Sequence, residues 1–294
     1  MALPLCSDSI RVAHLGNSIQ YYNDCPRLLE HMLRTKFGTV QQDSCLRGGA
    51  TIVSLFQEGN GMSKKFATPN ARKEDGSGEY DIGSLTVEDL LRSTNDKSWD
   101  FVVINDHTQS PARDDSKKLS MGALEKHYLP MLHKGTTVVF LLTAAYRKHV
   151  KNSEDLGTFE EFTKRLVQGY KEYQQLLDSK QQPSKIAPVG LAYQFVKNHV
   201  GQDEWERLYA RDDFHPSPHG TLLEAFVLYC TMVGEVPPIY HRDWWNTARY
   251  MQPSTMEPLP IPTDTDAAML RDTACEVCKD FLHPSSSLPP PSLP

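Results

Sequence analysis

Short runs of β-branched and aromatic residues alternate with longer amphipathic stretches along this chain, and no other feature restricts its fold as strongly. The pattern predicts strands at residues 10–15, 39–42, 101–104, 136–142 and 185–189. It predicts helices at residues 25–35, 86–93, 116–132, 158–178, 191–199 and 218–233. Strands separated by helix-length segments pair in parallel, with the helices covering both faces of the sheet. The expected fold class is α/β, a three-layer α/β/α sandwich with a parallel sheet. Residues 263–281 read as a C-terminal helix. Thr263 can cap it, Asp266 stands at the third helical position, and Ala267, Leu270, Ala274, Val277 and Phe281 recur at helical spacing.

Two segments break this rhythm. Residues 57–83 are rich in Gly, Ser, Lys and Asp and read as an inserted loop, either a substrate lid or a solvated excursion. Residues 284–294 are rich in Pro and Ser and read as a disordered tail. The sequence carries no internal repeat, so residues 1–283 are expected to form a single domain.

Composition narrows the function. Hydrophobic residues make up 39% and charged residues 23% of the 294, as in globular rather than disordered chains. A net charge of −6 without any basic block argues against a nucleic acid or an anionic membrane as partner. The most apolar stretch, residues 136–145, is about half as long as a membrane-spanning helix. The N-terminus lacks the charged and apolar regions of a signal peptide, so a cytoplasmic chain without a membrane span is expected. Its six cysteines, Cys6, Cys25, Cys45, Cys230, Cys275 and Cys278, then read as reduced thiols. Cys275-x-x-Cys278 falls on the expected C-terminal helix with no second ligand pair, so structural thiols are expected there and no metal or cofactor is implied.

Chemistry is suggested by segments that follow strands or precede helices. The first strand ends in Leu15-Gly16-Asn17-Ser18 and runs into a helical segment, which places the Ser18 hydroxyl at the carboxyl edge of the sheet. Ser18 is therefore a candidate nucleophile, although a serine here also fits a simple helix cap. Near the other end, Arg211-Asp212-Asp213-Phe214-His215-Pro216-Ser217-Pro218 precedes the 218–233 helix. An Asp three residues before a His on a proline-pinned loop can fold its carboxylate onto the imidazole, fix the tautomer and stabilise the imidazolium. Asp212 is preferred by spacing, with Asp213 as its neighbour. Acyl transfer also needs donors for an oxyanion. Leu46-Arg47-Gly48-Gly49-Ala50-Thr51 offers glycine N–H groups, and Asn105-Asp106-His107-Thr108-Gln109-Ser110-Pro111 offers side-chain donors.

These segments, in this order, resemble the sequence blocks of the SGNH (GDSL-like) hydrolase superfamily. The resemblance covers about residues 10–233, and Asp-x-x-His-Pro-Ser-x-x-Gly, from Asp212 to Gly220, is its most specific part. It implies a flavodoxin-like α/β/α fold and catalytic roles for Ser18, Asp212 and His215. It implies an oxyanion hole with Gly49 (Gly48 as the alternative) and a side-chain amide from the third block. The chain departs from the family in two places. Asn17 stands where the family usually has Asp, and Asn105 follows its strand with no preceding glycine. Counting from the strand transfers the amide role to Gln109, which carries the same donor on a longer stem, with Asn105 second. Blocks containing Gln-Ser and the Thr-Asp-x-Asp-Ala-Ala-x-Leu helix are similar to a Gln-containing subgroup of the family.

The resemblance thus implies a serine esterase or acylhydrolase working through an acyl-enzyme on a small-molecule or carbohydrate ester, possible O-deacetylation included. An acyltransferase with the same residues and an inactive binding module on the same fold are the alternatives. His107 and His219 lie in loops that can line the site, whereas His14, inside a strand, reads as structural. Trp244 and Trp245 read as a packed C-terminal segment, with an aromatic wall to the acyl pocket as the other possibility.

Overall fold

Parallel strands buried on both faces need near-continuous apolar runs, and the chain supplies them: Val102, Val103 and Ile104 on one strand and Val138 to Leu141 on the next are wholly buried. The structure, a computed structural model, describes residues 9–56, 65–66, 80–81, 86–92, 98–150, 152–248 and 259–282. Among these residues the strands are β1 (Ser9–Gly16), β2 (Thr39–Leu46), β3 (Lys65–Phe66), β4 (Tyr80–Asp81), β5 (Phe101–Ile104), β6 (Thr137–Leu141) and β7 (Ser184–Ala187). They form one sheet in the order β4-β3-β2-β1-β5-β6-β7. The five longer strands are mutually parallel. Their order is that of flavodoxin-like sheets.

Strands β3 and β4 correct part of the reading of residues 57–83 as a loop. They pair antiparallel, β3 onto β2 through Leu46 and Phe66 and β4 onto β3, and so cover an edge of the sheet that would otherwise be open. The remainder of 57–83, the tail at 284–294 and Cys6 lie outside the described residues.

The helices are α1 (Ser18–Tyr21), α2 (Cys25–Arg34), α3 (Val87–Arg92), α4 (Asp114–Ala123), α5 (Phe159–Ser179), α6 (Val189–Phe195), α7 (Gln202–Arg207), α8 (Pro218–Val233) and α9 (Asp264–Leu282). The single helix expected at 116–132 is broken. Helix α4 stops at Ala123, a π turn covers Leu124–Tyr128, and a 3₁₀ turn covers Leu129–Met131. Pro130 lacks an N–H and cannot continue the α ladder. Helix α5 begins at a capping box in which Thr158 and Glu161 exchange hydrogen bonds. Thr263 and Asp266 do the same for α9. Helix α8 is buried all round because α2, α6 and α9 pack against it, which accounts for its largely apolar sequence. Cys25, Cys45, Cys230, Cys275 and Cys278 form no disulfide among the described residues. No helix among the described residues is long and apolar enough to cross a membrane.

Register aligns the strand ends that matter. Gly16 pairs with Leu46, and Leu15 pairs with Ile104, so β1, β2 and β5 end together. The chain passes to one side of β1 for β2 and to the other for β5, which opens a crevice at the carboxyl edge.

The Phe140 ring on β6 is wholly buried and lies 6.3 and 5.8 Å from the rings of Tyr170 and Tyr173 on α5. Phe140→Ala is expected to lower the unfolding free energy by about 3–5 kcal/mol, read from the shift of a urea transition midpoint at unchanged slope.

Candidate active site

Ser18 opens α1 two residues beyond the end of β1, and Asn17 caps that helix by accepting the Ile19 N–H. At Gly16 the backbone has φ +147°, and a Cβ there would overlap the Asn105 side chain. A glycine is therefore required by both conformation and space. Beneath the turn lies a layer of buried carboxamides. Asn105 Nδ2 donates to Asn17 Oδ1 (2.8 Å) and to the Asp106 carbonyl (3.1 Å). Asn105 Oδ1 accepts from the Asn17 N–H (3.2 Å) and Gln20 Nε2 (2.8 Å). Asn17 Nδ2 donates to the carbonyls of Ala50 (2.8 Å) and Asp106 (3.2 Å). An Asp at position 17 would present acceptors to both carbonyls, so the asparagine fits this arrangement where a carboxylate would not.

The layer continues into the sheet. Gln20 donates to the Leu15 carbonyl and faces His14 Nδ1 at 2.9 Å, while His14 Nε2 is buried without a partner among the described residues. Burial, offset in part by the Gln20 hydrogen bond, holds the His14 pKa down to about 4. His14 is thus structural, as its place inside a strand suggested, but only one of its nitrogens is satisfied.

The loop before α8 reaches the same edge. Ser217 caps α8 by accepting the N–H groups of His219 and Gly220, and its hydroxyl donates to the Arg207 carbonyl. A Cβ on Gly220 would strike the Leu208 carbonyl and the Tyr193 hydroxyl, which explains the glycine that closes the Asp-x-x-His-Pro-Ser-x-x-Gly pattern. His215 stands over Ser18 as a result. Ser18 Oγ–H donates to His215 Nε2 at 2.8 Å, and His215 Nδ1–H donates to Asp212 Oδ2 at 2.7 Å. A carboxylate can only accept, and this fixes the proton on Nδ1. Asp212 Oδ1 also accepts the N–H groups of Phe214 and His215. Burial opposes ionisation of Asp212, but the hydrogen bonds from His215 and these N–H groups outweigh it, and its pKa is lowered. Asp213 has another partner: it accepts from Arg147 Nε at 2.6 Å.

A cleft of about 360 Å³ opens beside this pair. It is lined by Asn17, Ser18, Ile19, Tyr21, Tyr22, Gly48, Gly49, His107, Thr108, Tyr146, Phe214 and His215. Its size suits a small ligand. Gly49 adopts φ +68° at the third position of a turn closed by the Ala50 N–H and the Arg47 carbonyl, where an L side chain would be strained. Neither expected carboxamide is in the cleft wall. Asn105 is committed to the layer below, and Gln109 Oε1 accepts from Arg113, which Asp155 holds in turn. Two successive turns, His107 to Ser110 and Gln109 to Ala112, carry Gln109 away from the cleft.

Several lining residues carried no sequence signal. Tyr22 stacks on the His215 ring with centroids 4.2 Å apart and planes within 7°, and Phe214 lies 4.1 Å away on an inclined plane. Phe214 sits inside the recognised pattern and Tyr22 four residues after Ser18; proximity to those two residues is the only clue the chain offers. His219 does not line the cleft, its Nε2 being 2.8 Å from Arg207 Nη2. Trp244 and Trp245 are buried away from it, Trp244 stacking on His31. Among the described residues no three His, Cys, Asp or Glu side chains are grouped as metal ligands.

No protein-family model and no curated protein matches this sequence. Among solved structures, a DUF4886 family protein from Bacteroides uniformis is similar over 94% of this chain and 96% of its own, with a TM-score of 0.62 and 16% identity. A GDSL-like lipase from Parabacteroides merdae aligns over 79% of this chain and 99% of its own (TM-score 0.46, 15% identity). A catalytic mutant of an acetylxylan esterase from Geobacillus stearothermophilus aligns over 76% and 94% (TM-score 0.45, 14% identity). The first of these establishes a shared α/β fold.

Asn105→Ala would remove the acceptor of the buried Asn17 N–H and of one of the two Gln20 Nε2 N–H groups. The expected loss is about 1–3 kcal/mol of stability for each orphaned group, measured by urea unfolding. His14 gives a pH signature. Its folded pKa lies below the unfolded value of 6.5, so its contribution is complete above pH 6.5 and is lost as pH falls toward 4. At 1.36 kcal/mol per unit the full effect is about 3 kcal/mol. Urea unfolding at pH 7 and pH 4.5 should therefore show wild type losing more stability than His14→Asn, which carries no titrating ring.

Proposed function

We propose that this chain is a serine esterase of the SGNH (GDSL-like) type, acting on a small-molecule or carbohydrate ester through an acyl-enzyme. The observation that carries this reading is the unbroken run of hydrogen bonds from Asp212 through His215 to Ser18, at 2.7 and 2.8 Å, opening onto a cleft. A hydroxyl that faces a neutral imidazole oriented by a carboxylate is the arrangement that activates serine for attack on a carbonyl.

Ser18 Oγ attacks the ester carbonyl carbon while His215 Nε2 takes its proton. Asp212 keeps the ring in the required tautomer and stabilises the imidazolium. The negative charge on the former carbonyl oxygen is met by backbone donors. The Ser18 N–H opens α1 and so has no intrahelical acceptor, and the Gly49 N–H lies in the left-handed turn across the cleft. Collapse breaks the bond to the alcohol oxygen, which leaves with the proton from His215. Water then attacks the acyl group on Ser18, giving its proton to His215, and the carboxylic acid departs as Ser18 is restored. The aromatic walls supplied by Tyr21, Tyr22, Tyr146 and Phe214 suit an apolar acyl group or the face of a sugar ring.

Purified protein should hydrolyse short-chain p-nitrophenyl esters and be labelled by a fluorophosphonate probe, with both properties abolished in Ser18→Ala. Asp212→Asn should lower turnover by about 10⁴-fold without unfolding the chain, as loss of the orienting carboxylate does in other Ser–His–Asp sites. Labelling that persists in Ser18→Ala, or a wild-type chain that neither turns over nor labels, would overturn the reading.

A further inference from the structure

We infer that His107 is a further catalytic residue, a side-chain donor that faces the oxyanion from the β5 side of the cleft. This rests on the esterase reading. It deepens that reading by replacing the carboxamide expected from this segment with an imidazole.

Three observations carry the inference. First, His107 lines the cleft together with Ser18 and Gly49. It follows the end of β5 by three residues, and β5 ends level with β1, so the loops carrying Ser18 and His107 leave the sheet at one place. Second, the two carboxamides of the same segment are occupied. Both Asn105 N–H donors go to Asn17 and the Asp106 carbonyl, and Gln109 is turned toward Arg113. Third, the His107 backbone is pinned, its N–H donating to Asp106 Oδ1 at 2.8 Å, while its ring makes no hydrogen bond to any described residue. A fixed backbone under an uncommitted polar ring at a cleft wall is a preorganised donor.

The charge state supports the role. Burial holds the His107 pKa below its usual value, the nearby Asp106 carboxylate opposing this and the Arg113 guanidinium reinforcing it. The ring is therefore neutral at pH 7 and carries one N–H. A neutral imidazole donates a hydrogen bond to developing charge without competing with His215 for the Ser18 proton.

The test compares His107→Ala, His107→Gln and His107→Phe with wild type, using p-nitrophenyl acetate for kcat and KM and a fluorophosphonate for the labelling rate of Ser18. Thermal melts monitor folding. Removing the donor should lower kcat by about 10²-fold in the Ala and Phe variants with little change in KM, because the interaction strengthens only as the oxyanion forms. His107→Gln, which restores an N–H donor, should recover most of that loss. The Phe variant keeps a ring in place and guards against a simple packing defect in the Ala variant. An active wild type whose Ala and Phe variants keep full kcat overturns this inference alone, as does a Gln variant no better than Ala. A wild type that neither turns over nor labels at Ser18 overturns it together with the esterase reading.

Discussion

A single buried carboxylate holds together the segments that make the site. Asp106, wholly buried just past the end of β5, accepts the Ile52 N–H, the His107 N–H, the Ser120 hydroxyl and the Tyr173 hydroxyl at 2.6 to 3.0 Å. Those donors belong to the loop after β2, the loop after β5, α4 and α5. Burial pushes the Asp106 pKa up and the four donors pull it back, so the charge is tolerable only while all four segments stay in place. A buried ion satisfied in this way costs desolvation but specifies one arrangement, because any displaced segment would leave charge without a partner. One of its donors, His107, lines the cleft, and another, Ile52, lies three residues beyond Gly49 on the opposite wall. The carboxylate that organises the core therefore also sets the distance between the Gly48-Gly49 turn and the opposite wall.

Above this anchor the polar groups are layered by exposure. Asn17, Gln20 and Asn105 are buried and spend their hydrogen-bonding capacity on one another and on nearby carbonyls, whereas Ser18 and His215 are partly exposed. The layer fixes the backbone without using the hydroxyl, and Ser18 remains free to face His215. Rigid support below and accessible groups above is what reactions that need fixed geometry require. The cost appears at His14, where the network ends in a nitrogen with no partner among the described residues.

The parts of this structure legible in the sequence were those set by local or periodic rules. Five parallel strands and most helices follow from hydrophobic periodicity, and Asp212 and His215 meet because three residues of loop suffice to fold one onto the other. Ser18 and His215 are 197 residues apart, and their meeting depends on the strand order, which the alternating pattern and the family resemblance together supplied. The third block was misleading for a physical reason. Position along a loop predicts position in space only while the loop is extended, and residues 107–112 fold into two successive turns. Gln109 is thereby sent toward Arg113. Asn105 and Asp106, which look like functional polar residues, are consumed by the interior instead. Nothing local distinguishes a polar residue that faces a cleft from one that ties two loops together.

The neighbouring carboxylates Asp212 and Asp213 show how backbone conformation divides labour between chemically identical groups. Asp213 adopts φ +68°, a left-handed conformation that costs a non-glycine residue about 1 kcal/mol or more. Arg147 offsets that cost by bonding both the Asp213 side chain and its carbonyl, with Lys148 close by. The left-handed residue reverses the chain at this point. Asp212 can then accept the N–H groups of Phe214 and His215 while its second oxygen meets the imidazole. Tyr22 and Phe214 confine the imidazole plane from their own sides. A ring held by one carboxylate alone could still pivot about that hydrogen bond. With two aromatic neighbours it keeps Nε2 directed at Ser18, and the strained aspartate beside it is what makes that geometry possible.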